Sequence, residues 1–154
     1  MKKQKGFSLI ELLIVVAIIL IIAAIAIPNL IKSKMAANES SAVGSLRTLT
    51  TAEIAYATAC PNLGFTGLLA DLGPAGAACP GGANQIDSLL VTGSKSGYNL
   101  ALGGVGGATP ATTFTANADP ISASSGTRHF FVDQTGVIRY NQAAVAGVAD
   151  NPLQ

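Results

Sequence analysis

Gly6-Phe7-Ser8-Leu9-Ile10-Glu11 stands between a lysine-rich start and an unbroken apolar run from Leu12 to Ile27. Lys2, Lys3 and Lys5 precede the hexapeptide, and no polar side chain occurs in the run that follows. Such a run predicts a helix, and counted from Phe7 its apolar part reaches about 30 Å at about 1.5 Å of rise per residue, enough to span a bilayer core. A carboxylate beside a membrane-length segment is costly, by about 2.5–3.5 kcal/mol or more at mid-bilayer. A passive anchor gains nothing from that charge, so Glu11 is expected to have a partner.

The arrangement resembles the prepilin leader of type IV pilins and type II secretion pseudopilins. The resemblance implies that a prepilin peptidase cuts after Gly6 and methylates the new N-terminal residue, Phe7, and that Glu11 guides subunit assembly. Cleavage would turn the Phe7 amide into an amine that is cationic near neutral pH. That cation and the Glu11 carboxylate stand at i and i+4, one helical turn apart. In lipid each charge is better neutralised by the opposite charge of a neighbouring subunit than left alone. A chain carrying both is self-complementary head to tail, and head-to-tail contacts that do not close build helical filaments.

Two plainer expectations compete: an uncleaved signal anchor, and a secretory signal peptide cut at Ala24-Ile25-Ala26. A signal peptide's apolar region usually runs to about 7–15 residues and carries no glutamate near its start. Neither alternative explains why glycine, phenylalanine and glutamate occur together.

The rest of the chain fits one small exported domain of modest core. Only 11% of the 154 residues are charged, and 49% are hydrophobic, a share inflated by the apolar run. The formal net charge is +1, but taking the three lysines of residues 1–6 from nine basic residues leaves six against eight acidic, a balance of −2. The processed chain is not a polycation, so non-specific nucleic-acid binding is not expected. Three lysines before the run, against Lys32 and Lys34 after it, put the N-terminus in the cytoplasm by the positive-inside rule.

The expected organisation is a leader at 1–6, a transmembrane and assembly helix at 7–30, an amphipathic helical half at 31–60, a helix-to-sheet loop at 61–95 and an antiparallel β region at 96–154. One helix from Phe7 to Ala59 covers the first parts, with Pro28 kinking it where the apolar run ends. Beyond Lys34, Val43, Leu46, Leu49 (or Thr50), Glu53-Ile54 and Ala57 recur at three- and four-residue spacing, the pattern of a helix packed on a globular domain. Cys60 and Cys79, the only cysteines, predict a single disulfide in an oxidising compartment. The intervening loop is rich in Gly, Ala and Pro, with short helical turns expected near Leu68–Leu72 and Gln85–Leu90.

The last third predicts strands at Gly97–Leu102, Thr112–Asn117, Arg128–Val132 and Val137–Tyr140, the last two joined by the Asp133–Gly136 turn. Three or four such strands form an antiparallel meander on the second half of the helix. The fold class is therefore α+β, a long N-terminal helix packed on a small antiparallel sheet, as the pilin resemblance also implies.

No catalytic constellation is recognisable, and neither cofactor nor metal is expected. His129 stands alone as the only histidine, Asp133 suits a turn, and Asp150 with Asn151 is too little for a calcium site. The resemblance implies a non-enzymatic structural subunit. Its partners would be copies of itself, the prepilin peptidase, an inner-membrane assembly platform and, before assembly, membrane lipid. It would lie in the inner membrane first and in a surface pilus or periplasmic pseudopilus afterwards. The alternatives are a secretion pseudopilin and a minor pilin that binds DNA or a surface.

Overall fold

The computed structural model describes residues 7–76, 78–79, 81–107 and 109–153. The expected leader, including Gly6, lies outside the described residues. The elements are α1 (Leu9–Ala59), α2 (Leu69–Leu72), α3 (Ser88–Val91), β1 (Ser94–Lys95), β2 (Tyr98–Gly106), β3 (Thr113–Pro120), β4 (His129–Asp133), β5 (Arg139–Asn141) and β6 (Asn151–Pro152). The chain divides into two units, Met1–Lys34 and Met35–Gln154.

In the first unit, α1 begins at Leu9 rather than Phe7, and Pro28 lies inside it. Ser8 precedes the first helical residue, and its backbone N–H donates to the Glu11 carboxylate at 2.9 Å. This is one arm of a capping box, in which the third helical residue reaches back to the N-cap amide.

In the second unit, α1 continues on alanine and on hydroxyl residues that satisfy themselves. Ser40, Ser45, Thr48, Thr50, Thr51 and Thr58 each donate to a carbonyl four residues back, which keeps polar side chains close to the helix axis. Its buried stripe is Ala42, Val43, Leu46, Leu49, Ala52, Glu53 and Tyr56. Two positions depart from the expected pattern: Ile54 is exposed, and Ala57 is half-buried. Ala52 and Tyr56 take their place, because a stripe anchored on Leu49 advances by three and four residues through 52, 53 and 56.

The six strands form one antiparallel sheet in sequence order, a meander. It is wider than the three or four strands expected because β1 and β6 contribute two residues each, too few to announce themselves by alternation. Alternation decides the faces elsewhere. Tyr98 and Leu100 of β2, Ala116 and Ala118 of β3, and Phe130 and Val132 of β4 are buried in one cluster with the α1 stripe. Leu100, Ala118, Phe130 and Tyr140 face one another in register across β2 to β5. Phe131 is also buried but belongs to the opposite face. There its register neighbour Asn117 donates to the Ala146 carbonyl, drawing the C-terminal loop over the sheet.

An ion pair ties this helix to the sheet. Glu39 is 7% exposed, and its Oε2 accepts from Arg128 Nε at 2.8 Å and pairs with Nη2 at 2.8 Å. Its Oε1 accepts from the Thr127 amide, the Thr127 hydroxyl and the Arg128 amide. Arg128 in turn lies over the rings of Phe130 and Tyr140, at 5.4 and 5.6 Å. Burial pushes the Glu39 pKa up. The Thr127 amide and the Arg128 guanidinium outweigh it, leaving the carboxyl below its ordinary value. Nearby, the Tyr98 hydroxyl donates to the Arg128 carbonyl at 2.9 Å, and burial raises that phenol to about 12. Gly126 is required here because a Cβ would fall on the Tyr98 ring and hydroxyl.

Glu39→Ala should lower unfolding free energy by about 2–3 kcal/mol at neutral pH, short of a fully buried pair because solvent reaches Arg128. The Glu39 carboxyl is depressed, so its contribution is complete above the ordinary carboxylate range and fades as pH falls through its folded value. Denaturant titrations of wild type and Glu39→Ala should therefore converge in acid, and a difference independent of pH would contradict the ion-pair assignment. Gly126→Ala should be destabilising by about 1–3 kcal/mol through overpacking, and unchanged stability in the same assay would contradict the close packing on Tyr98.

Candidate functional site

The candidate site is the exposed apolar segment at the start of α1. Phe7 is 80% exposed, and every large apolar side chain from Leu9 to Ile31 is between 45% and 79% exposed. Apolar area costs about 25 cal/mol per Å² when left in water, so a surface of this kind requires lipid or another protein around it. By length and composition the helix can cross a membrane. Ala23 is the one half-buried residue between Phe7 and Lys34.

Glu11 sits on this surface, exposed, with its Oε2 on the Ser8 amide. Its position in the first turn also places a negative charge at the positive end of the helix dipole. This local role was legible in the Ser8-x-x-Glu11 spacing, which is a capping-box signature. It satisfies an amide without supplying a countercharge.

The second unit carries further groupings of its own. Cys60 and Cys79 are joined by a disulfide that closes the segment after α1. Within that loop Phe65 packs on Phe114 with ring centroids 4.9 Å apart, and the Phe65 amide donates to the Ala111 carbonyl at 3.1 Å. The Thr66 amide donates to Glu53 Oε2 at 3.0 Å, and the Thr66 hydroxyl donates to Asp71 Oδ2 at 2.8 Å. Glu53 is fully buried, and its Oε1 has no hydrogen-bond partner. Burial, with the nearby Asp71 charge adding to it, raises this carboxyl to about 7 despite the Thr66 amide. On the sheet, His129 Nδ1 lies 2.6 Å from Asp119 Oδ1, and both side chains are partly exposed. Asp133 Oδ1 accepts from the Thr135 amide and so serves its turn.

Glu39 and the charge state of Glu53 have no distinct sequence signal. Each occurs on a helix face where apolar residues are expected, and only the facing loop distinguishes them. Among the described residues, no three His, Cys, Asp or Glu side chains group as metal ligands.

Residues 1–27 match the prokaryotic N-terminal methylation motif. Over 54 residues the chain is 52% identical to the type IV major pilin protein PilA of Myxococcus xanthus, covering 35% of this chain and 24% of that protein. Over 40 residues it is 58% identical to the type IV wide pilus major component PilA4 of Thermus thermophilus, covering 26% of this chain and 30% of that protein. The chain thus spans between about a quarter and a third of the length of the curated relatives it matches. No solved structure matches it. The chain thus carries a methylation motif at the head of an exposed apolar helix, and over about a quarter to a third of its length it is similar to two type IV major pilus proteins.

Proposed function

We propose that this chain is the structural subunit of a type IV pilus-like filament, processed by a prepilin peptidase and polymerised from the inner membrane. The carrying observation is the exposed apolar face of Phe7–Ile31 directly behind a methylation motif. Cleavage after Gly6 frees the Phe7 amine, which is methylated, and in the filament that amine is neutralised by Glu11 of a neighbour. Before assembly the apolar helix lies in the inner membrane with its N-terminus cytoplasmic. The assembly platform draws it out, and helix-to-helix burial then replaces lipid. Pro28 removes one backbone donor within this helix and eases bending where the apolar run ends.

The names of both relatives, each a major pilus component, favour a pilus over a secretion pseudopilus. Few cations of the second unit are free to hold a polyanion. Arg128 is committed to Glu39, and Arg139 donates to the Asp150 carbonyl. This supports a filament subunit over a DNA-binding minor pilin.

Replacing Gly6 with a bulky residue should leave unprocessed precursor in the membrane fraction, visible as a heavier band; normal processing would count against the scheme. Glu11→Ala should preserve membrane insertion while reducing sheared filament yield at least tenfold. Glu11→Gln separates the two roles of Glu11, because the amide oxygen can still accept from Ser8 while the charge is lost. Assembly of Glu11→Gln at the wild-type level would contradict charge pairing and leave only the helix cap.

A further inference from the structure

Glu53 is the least expected group in this fold. It lies on the apolar stripe of α1, fully buried, with one oxygen on the Thr66 amide and the other exposing less than 1 Å² and bonded to nothing. An ionised carboxylate with a bare oxygen in such a place is strongly disfavoured, whereas a carboxylic acid is not. The groups facing it agree. Asp71 from α2 adds negative charge, and Tyr56 from its own helix is a buried phenol whose pKa burial, Asp71 and Glu53 all raise. No basic side chain among the described residues acts on Glu53. The bare oxygen has no solvent-accessible space for a hydrated cation, while a proton needs none.

What Glu53 holds is equally specific. Its one hydrogen bond is to Thr66, which also bonds Asp71 through its hydroxyl and receives the Leu68 amide. Thr66 therefore joins α1 to α2 and to the turn between them, and Thr66 and α2 lie inside the loop closed by Cys60 and Cys79. We propose that Glu53 is a proton-operated latch: uncharged, it holds the 61–72 segment closed on α1, and on ionisation it releases that segment while the disulfide keeps it tethered. Opening gives the Glu53 proton to bulk water and lets water solvate both carboxylate oxygens, and closing reverses the exchange. The segment carries exposed Leu63 and Leu68, so the latch controls how an apolar part of the surface is presented. The device concerns the second unit alone and stands or falls independently of filament assembly.

The sign follows from the raised folded value. Below the ordinary glutamate range the closed and open forms are both protonated, and stability is highest. As pH rises toward and through about 7, the open form gains by ionising and the latch weakens.

The test is amide hydrogen exchange on the full oxidised chain in detergent micelles from about pH 5 to about pH 9, corrected for the intrinsic rate. Protection of residues 64–68 in wild type should fall by on the order of 10²-fold across that range, following a shift of this size in a single carboxyl. Glu53→Gln, which mimics the neutral acid, should keep protection independent of pH. If Glu53→Gln does not fold, Asp71→Asn carries the test, because removing the neighbouring charge should move the wild-type transition to lower pH. A flat wild-type profile, a Glu53→Gln profile identical to wild type, or an unmoved transition in Asp71→Asn would each overturn the latch.

Discussion

One constraint organises this protein: helix α1 must satisfy two environments along a single 51-residue length. From Leu12 to Ile27 its side chains are apolar on all sides, and all but Ala23 are exposed, so they depend on lipid or on other chains. From Ala42 onward it supplies a one-sided stripe that forms the core of the second unit with Leu100, Phe130 and Val132. Helical geometry allows this without any break. A helix satisfies its own backbone in hydrocarbon as well as in a protein core, which is why it can pass from one medium to the other. Pro28 falls within the first unit, where its missing donor leaves the sheet-packed half of the helix untouched.

Two glutamates on the inner side of the same helix resolve burial in opposite ways. Glu39 faces Arg128 and two backbone amides, and it is stabilised as an anion. Glu53 faces one amide and another carboxylate, and it favours the proton. Neither difference belongs to the residue type. It arises from what the sheet connection and the disulfide-closed loop bring against each position, so the two should respond to pH with opposite sign. The β3–β4 connection is thereby fastened by charge, with Tyr98 and Gly126 setting its approach, while the segment after the helix is fastened by the disulfide, the Phe65–Phe114 contact and an uncharged acid.

Much of the fold was legible wherever periodicity was long. The helix end at Ala59, the strands around residues 100, 115, 130 and 140, and the two short turns near 70 and 90 all follow from apolar spacing and turn residues. The edge strands β1 and β6 were not, since two residues carry no period. The spacing admits both Glu53 and Ile54 to the apolar stripe; the helical angle set by Leu49 and Tyr56 turns Glu53 inward and leaves Ile54 exposed. The capping role of Glu11 was readable from Ser8 three residues earlier, but the pairing of Glu39 with Arg128 spans 89 residues and has no local trace. The N-terminal methylation motif is legible for a different reason: its pattern is complete within consecutive positions of residues 1–27 and needs no tertiary contact to be read.

The central claim is that the hexapeptide is a processing and assembly signal whose Phe7 amine exists only after the cut. Mass analysis of the N-terminal peptide from filaments sheared off the cell surface tests it most directly. The account requires a chain that begins at Phe7 and carries one additional methyl group on that residue. A chain still beginning at Met1, or one beginning after Ala26, would contradict it.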